Sequence, residues 1–156
     1  MSAPLAAPPA QQPVIPPRGR PQRAPRRQLT LRQQYFPALL TLMRWKDGRV
    51  YAPDHEFSRE ELLTIHADHV YRHFKDRVYG DPDADECSTP PVHFRLHSVL
   101  AWKRNISYFM PNNHQQWNDA RQEGNPTHSL QLSRLTKAMR HFQTSIVVSH
   151  HMLEGL

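Results

Sequence analysis

Residues 92–117 carry the longest amphipathic pattern of the chain, and this pattern does most to restrict its fold. On a helix that turns about 100° per residue, the apolar side chains of the segment fall in one broad stripe, and polar side chains without a carboxylate fall opposite. The stripe comprises Leu96, Val99, Leu100, Trp102, Ile106, Phe109 and Met110, and the opposite face comprises His97, Ser98, Ala101, Arg104, Asn105 and Tyr108. Pro111 should end the helix, because proline lacks an N–H and disfavours helical geometry in the preceding residue. The segment predicts a core helix whose polar face is either solvated or placed against an anion.

Residues 31–46 predict the first helix of the chain. Pro37 suits a first-turn position, so the helix should begin near Phe36. The Asp47-Gly48 pair should end it. Its predicted apolar side comprises Phe36, Leu39, Leu40, Met43 and Trp45.

Two further helices are predicted between residues 53 and 80. In residues 53–65, Ser58 and Glu61 have the spacing of a capping box, in which each side chain accepts the backbone N–H of the other residue. Residues 67–79 show helical periodicity and end at Gly80, which suits the left-handed position after a helix. The side chains expected to be buried are Leu62, Leu63 and Ile65 in the first segment and Val70, Phe74 and Val78 in the second.

The C-terminal part predicts a short helix over Gln115–Arg121, with Trp117 packed inward, and then a turn and a longer helix. Thr127 or Ser129 should cap the long helix, because hydroxyl oxygens accept the free N–H groups of a first turn. The apolar stripe of that helix comprises Leu132, Leu135, Met139, Phe142 and Ile146. Beyond Thr144 the sequence becomes β-branched, and the helical pattern should stop.

No strand-like alternation of useful length occurs in the sequence, so these segments predict an all-α protein, a small four-to-five-helix bundle. Residues 1–28 contain eight of the 15 prolines and should form a disordered tail. Residues 29–143 should form the helical domain, and residues 144–156 a C-terminal extension.

Positive charge is concentrated at the two ends of the chain. The tail has five arginines and no acidic residue, residues 29–91 carry a net charge of −3, and residues 92–156 carry +4. The tail arginines are Arg18, Arg20, Arg23, Arg26 and Arg27. They suit DNA phosphates or a nuclear-import patch, and a solvated linker is the alternative. The balance favours polyanionic partners, with nucleic acid first.

Composition also excludes several classes of site. The single cysteine, Cys87, rules out an internal disulfide and a cysteine-based zinc site. No apolar run is long enough to span a membrane, and the N-terminus has no signal-peptide core, so we expect an intracellular protein without a membrane partner.

Several histidines at helical spacing suggest two hypotheses, a metal site and a catalytic motif. His66, His69 and His73 have the i, i+3, i+7 spacing of one helix face and could bind Zn²⁺, but no fourth ligand is evident and chance alignment is the favoured explanation. His69 and Arg72 match the HxxR pattern of DNA strand-transfer enzymes, yet they lie in a predicted core helix. We therefore predict no cofactor and no small-molecule substrate.

The strongest candidate site is a basic and amide-rich set on the last two long helices and the turn between them. Two helices that present cations on one side can straddle a groove of DNA and neutralise phosphates. The predicted DNA-binding residues are Arg95, Lys103, Arg104, Asn105, Thr127, His128, Arg134, Lys137 and Arg140, with Asn125 beside them. Surface charge on helices is often only solvated, and Lys103 lies within the apolar stripe, where the alternatives are that it snorkels or faces a neighbouring helix.

Several segments resemble one protein family. They are F-S-R-E-E-L-L-T-I at 57–65, V-Y-G at 78–80, S-V-L-A-W-K-R-N-I-S-Y-F-M-P-N at 98–112, W-N at 117–118 and G-N-P-T-H-S at 124–129. Together they look like the N-terminal core-binding region of Crypton-type, integrase-like tyrosine recombinases of diatom-type mobile elements. The resemblance covers roughly residues 50–140.

This resemblance implies a helical module that clamps one side of duplex DNA, with Lys103, Arg104 and the basic side of the last helix towards the DNA. We also expect a role in DNA integration and recombination, a nuclear location and self-association on DNA. The likeness stops after about residue 142, and the Arg…HxxR…Tyr apparatus of the family is absent, so we expect a non-catalytic protein. The alternatives are a helical protein-interaction module, with the tail as ligand for another domain, or a truncated mobile-element remnant without function.

Overall fold

The computed structural model describes residues 2–19, 28–91 and 93–154, with side chains described as far as Ser145. It contains five helices, which are α1 (Leu31–Asp47), α2 (Arg59–Leu63), α3 (Ala67–Tyr79), α4 (Leu96–Ser107) and α5 (Leu130–Glu154). No strand occurs in these ranges, where the only extended pairing is an isolated bridge between Asn118 and Glu123. The predicted all-α class is therefore confirmed.

The four long helices form a closed ring around one core. α1 packs against α3 and α4, and α5 packs against the same two helices. Each helix buries three large apolar side chains at the centre. They are Leu39, Leu42 and Met43 from α1, Val70, Phe74 and Val78 from α3, Leu96, Val99 and Ile106 from α4, and Leu132, Leu135 and Met139 from α5. Burial of each such side chain contributes roughly 1.5–3 kcal/mol, so the core stabilises the bundle predicted from the sequence.

α1 begins earlier than predicted, at Leu31, and Pro37 lies inside it. A capping box causes the earlier start, since the Thr30 hydroxyl accepts the Gln33 N–H at 3.3 Å and the Gln33 side chain accepts the Thr30 N–H at 3.0 Å. Pro37 removes only one backbone hydrogen bond, to the carbonyl of Gln33. The predicted end is confirmed, because Gly48 adopts a left-handed conformation with φ of 65°.

The predicted start of α2 and both predicted ends of α3 are confirmed. Ser58 and Glu61 form the expected reciprocal capping box, and Gly80 ends α3 with φ of 75°. Ile65 is buried as predicted, but Leu63 is 49% exposed. The prediction for Leu63 is wrong because α2 has only five residues and covers the core with one side.

α4 buries a narrower stripe than the sequence predicted. Leu96, Val99 and Ile106 are buried, whereas Leu100 is 39% exposed at the edge of the stripe. The helix ends at Ser107, before Pro111, and buried Met110 follows in a turn. The half-buried Trp102 packs against the core from outside the stripe centre.

The chain between α4 and α5 is irregular, so the helix predicted over Gln115–Arg121 is wrong. Its backbone N–H groups bond outside a helical pattern, for example from Trp117 to the carbonyl of His128 at 3.3 Å. Trp117 is nevertheless buried, as predicted. Ser129 caps α5 by accepting the Leu132 N–H at 3.2 Å.

α5 continues to Glu154, so the predicted end of helical structure at Thr144 is also wrong. Leu132, Leu135 and Met139 are buried as expected, and Phe142 is half-buried. The side chain of Ile146 lies outside the described part of the structure.

The tail agrees with its prediction where it is described. Residues 2–19 form neither helix nor strand, and Leu5, Val14 and Ile15 are 100%, 90% and 81% exposed. The arginines between residues 20 and 27 lie outside the described residues.

Candidate nucleic-acid interface

One groove gathers basic, amide and aromatic side chains on the outer side of α4. It has a volume of about 480 Å³ and lies between α4, the N-terminal half of α1 and the loop that leads to α5. Its walls are formed by Tyr35, Leu100, Lys103, Arg104, Ser107, Tyr108, Asn113, His114 and His128. No carboxylate is among these lining residues. The groove therefore suits an anion that also presents flat or apolar groups.

The loop wall of the groove is held by the side chain of Asn125, which is fully buried. Its amide nitrogen donates to the Ser107 hydroxyl at 2.7 Å and to the Asn113 carbonyl at 3.0 Å. Its amide oxygen accepts the backbone N–H and the hydroxyl of Thr127, at 3.0 and 2.8 Å. Because every polar atom of this side chain is used, Asn125 fixes the loop against the end of α4.

A close backbone approach keeps the same loop compact. Gly124 has φ of 110°, and a Cβ atom there would lie 2.5 Å from the carbonyl oxygen of Gln116. The backbone N–H of Asn125 donates to the Gln115 carbonyl at 2.9 Å, and that of His128 donates to the Asn125 carbonyl at 2.9 Å. Glycine is required at this turn, and the turn sets where His128 enters the groove.

The cations of the groove are not neutralised by the protein. Among the described residues, neither Lys103 nor Arg104 forms an ion pair with a carboxylate. The Arg104 guanidinium lies 5.3 Å from the centre of the Tyr35 ring, and this contact orients an otherwise exposed side chain. Burial, followed by the charges of Lys103 and His114, lowers the pKa of His128. The positive potential that contributes to this effect is the potential that an anion would meet.

The structure brings together part of the predicted DNA-binding set. Lys103, Arg104 and His128 line one groove, and Asn105 lies beside Arg104, with its Oδ1 atom 3.5 Å from the guanidinium Nε. Lys103 is half-buried and lines the groove. Thr127 is fully buried, and its hydroxyl is used by Asn125, so it supports the loop and has no surface to offer a phosphate.

The other predicted residues lie elsewhere on the protein. Arg95 occupies the position before α4, about two and a half turns from Arg104. Arg134 and Lys137 line two other depressions, and these also contain Glu86 and Asp119. Arg140 is exposed on α5. The basic side of α5 is therefore not part of the acid-free groove.

Several lining residues are not apparent from the sequence. Tyr35 comes from α1, and only the packing of α1 on α4 places it opposite Arg104. Asn113 and His114 come from the irregular loop and carry no periodic signal. The helical pattern assigns Tyr108 to the polar side of α4, so its exposure is detectable, although its role as a groove wall is not.

The residues of the two histidine motifs around α3 make contacts within the fold. The backbone N–H of His66 donates to Nδ1 of His69 at 3.0 Å, and His66 Nδ1 lies 2.8 Å from the Gln122 side-chain oxygen. His73 is buried, and burial lowers its pKa to about 4. Arg72 of the HxxR match pairs with Asp83 at 3.2 Å. In the described part of the chain, no group of three His, Cys, Asp or Glu residues is arranged for a metal ion.

No family model, curated protein or solved structure matches this chain in the three comparisons. Among the helices of the described ranges, none combines the length and apolar character needed to cross a bilayer. The site must therefore be interpreted from its own chemistry.

Proposed function

We propose that this protein is a non-catalytic DNA-binding module that contacts the phosphate backbone of duplex DNA through the groove on α4. The observation that carries the proposal is the convergence of Lys103, Arg104, His114 and His128 on one concave surface without a carboxylate. Cations that have no partner within the protein gain most from a phosphate, and they release counterions from DNA when they bind it.

The segments that resemble integrase-like recombinases supply this groove. Residues 98–112 provide Lys103, Arg104 and Tyr108, and residues 124–129 provide His128 and its support. This coincidence supports a recombinase or integrase origin as part of the proposal. In the HxxR match, His69 caps the start of α3 and Arg72 pairs with Asp83. These structural roles support a module without strand-transfer activity.

Placement in the nucleus and self-association on DNA are further parts of this proposal. The arginine-rich tail supports nuclear import, since clusters of basic residues are typical import signals. A protein-interaction module is the competing function.

Salt-dependent anisotropy on a labelled duplex tests the proposal. The starting protein is the full chain with the five tail arginines replaced by glutamine, so that the tail does not mask the groove. We expect the slope of log K against log salt to become less steep by about 1.8 in the Lys103→Gln/Arg104→Gln variant, because each phosphate contact contributes about 0.9.

The matched control is Arg134→Gln/Lys137→Gln, which removes the same charge from a face that also carries Glu86 and Asp119. We expect its slope to change by less than half as much. Equal effects of the two double variants would show that net charge, and not the groove, governs binding. Absence of salt-dependent binding would favour the protein-interaction function. Incubation with supercoiled plasmid should leave the DNA uncut.

A further inference from the structure

The α4 groove is concave as well as positively charged, and its shape points to the kind of group that it binds. Contacts to the phosphates of an intact duplex need cations on an open surface, and they do not need a concave site. The groove has a volume of about 480 Å³, which lies within the range of about 300–1,000 Å³ of sites for small molecules. It is large enough to enclose a group that projects from the DNA backbone.

Tyr108 gives the groove an aromatic surface that the fold holds in place. Its ring makes edge contacts with Tyr35 at 5.4 Å and with Phe109 at 5.1 Å between ring centres. It is still 46% exposed, and Leu100 on the same groove is 39% exposed. A fixed, partly exposed tyrosine ring is a platform on which a nucleobase can stack.

Arg104 and Lys103 lie close enough to the Tyr108 ring to contact the phosphate of a nucleotide whose base stacks on that ring. Tyr108 follows Arg104 by one helical turn, and its backbone N–H donates to the Arg104 carbonyl at 3.1 Å. Side chains four residues apart on a helix lie about 5–6 Å from each other at their Cβ atoms. A base on Tyr108 would therefore place its own phosphate near Arg104 and Lys103.

A base within an intact duplex is stacked on both of its faces and cannot reach such a platform, whereas an unpaired base can. We infer that the groove receives one unpaired nucleotide, with its base on Tyr108 and its phosphate at Arg104 and Lys103, so that the protein prefers gapped DNA to intact duplex. This inference rests on the proposed function and names its substrate class.

Anisotropy with the full-chain protein tests the preference on three labelled DNAs of the same sequence, namely intact duplex, duplex with a short single-stranded gap, and the same gap with abasic sites. We expect the gapped DNA to bind roughly 5- to 150-fold more tightly than intact duplex, which corresponds to the range of base–aromatic stacking. The abasic gap should lose this preference, because it keeps the phosphates and the flexibility but has no base.

Two variants of Tyr108 test whether its aromatic ring causes the preference for gapped DNA. Tyr108→Leu should bind gapped and intact DNA with equal affinity, whereas Tyr108→Phe should keep the preference for the gap. A fluorescent adenine analogue in the gap should change its emission when the unmodified protein binds, and this readout stands even if Tyr108→Leu fails to fold. Equal binding of the unmodified protein to gapped and intact DNA would overturn the inference and leave the proposed function intact. Equal loss of preference in Tyr108→Phe would also overturn it. Absence of binding to every DNA would overturn the proposed function itself.

Discussion

The side-chain amide of Asn125 donates a 2.7 Å hydrogen bond to the hydroxyl of Ser107, which joins the loop before α5 to the last residue of α4. Ser107 lines the groove, and Asn125 supports His128 from behind. The contact connects residues 18 positions apart, so it couples the shape of the groove to the folding of the loop.

Asn125→Ala should destabilise the protein by about 3 kcal/mol. The substitution removes the side-chain hydrogen bonds of Asn125 to Ser107, Asn113 and Thr127, and it leaves the buried N–H of Thr127 without a partner. Urea unfolding followed by far-ultraviolet circular dichroism measures the change. Asn112→Ala is the control, because no hydrogen bond of its side chain occurs within the described structure, and it should change stability by less than about 0.5 kcal/mol. Similar losses for both variants would contradict the supporting role of Asn125.

Gly124→Ala should cost at least about 2 kcal/mol of folding free energy, because the new Cβ atom meets a backbone carbonyl and φ is positive. Gly48→Ala provides the matched control. Gly48 also has positive φ, of 65°, but beyond its chain neighbours no atom lies within 4 Å of the position that a Cβ atom would take. Only the backbone cost of a left-handed alanine, about 1 kcal/mol, therefore remains. Gly124→Ala should therefore have a lower midpoint of thermal denaturation than Gly48→Ala. Equal midpoints would show that the loop can move away from Gln116.

The parts of the fold that follow from local chemistry could be predicted from the sequence. The spacing of Val70, Phe74 and Val78 and the glycine at 80 identify α3, and the Ser58 capping box identifies the start of α2. The start of α1 also has a local signal, since Thr30 and Gln33 have capping-box spacing. The predicted start lies near Phe36 instead, because proline favours the first turn of a helix. In the structure, Pro37 lies in the interior of α1.

The parts that depend on contacts distant in sequence could not be predicted. Leu100 lies at the edge of an apolar stripe, and only the positions of α1 and α5 decide how much of that stripe is covered. The loop of Trp117 is stabilised by bonds to His128 and not by a helical pattern. Tyr35 reaches the groove only through the packing of two helices, so its proximity to Arg104 has no local signal.

Acid should destabilise the protein through His73. Neither ring nitrogen of this buried side chain has a hydrogen-bond partner in the described structure, and burial, with a smaller effect of Arg77, lowers its pKa to about 4. The unfolded chain takes up the proton first as pH falls below about 6.5, so the stability present above that pH is lost on acidification towards pH 4. The expected loss through His73 alone is about 2 kcal/mol between roughly pH 7.5 and pH 5.

His73→Leu isolates this contribution, because leucine fills the site without a titratable group. The difference in unfolding free energy between the two pH values should be smaller by about 2 kcal/mol in this variant than in the unmodified protein. The exposed His97 on α4 provides the control, and His97→Gln should leave the pH dependence unchanged. An unchanged pH dependence in His73→Leu would show that His73 does not titrate as a buried group.

The proposed function predicts that DNA affinity rises as pH falls, through His128. Burial and the charges of Lys103 and His114 lower the pKa of this imidazole in the free protein. A phosphate in the groove adds negative charge, which opposes the effect of these neighbouring positive charges and favours the protonated imidazole. We therefore expect the complex to bind a proton more readily than the free protein does. Affinity therefore increases on acidification below the pKa of the complex, by up to tenfold for each unit that binding raises the pKa.

Anisotropy at constant ionic strength between about pH 8 and pH 6 measures this linkage, in a range where circular dichroism can verify that the protein stays folded. His128→Gln keeps a polar side chain without a titratable group and should flatten the pH dependence of affinity. His97→Gln, which changes an exposed histidine that does not line the groove, should not. An equal pH dependence in all three proteins would show that the groove histidine does not meet the phosphate, and would direct the search for the DNA contact to other cations.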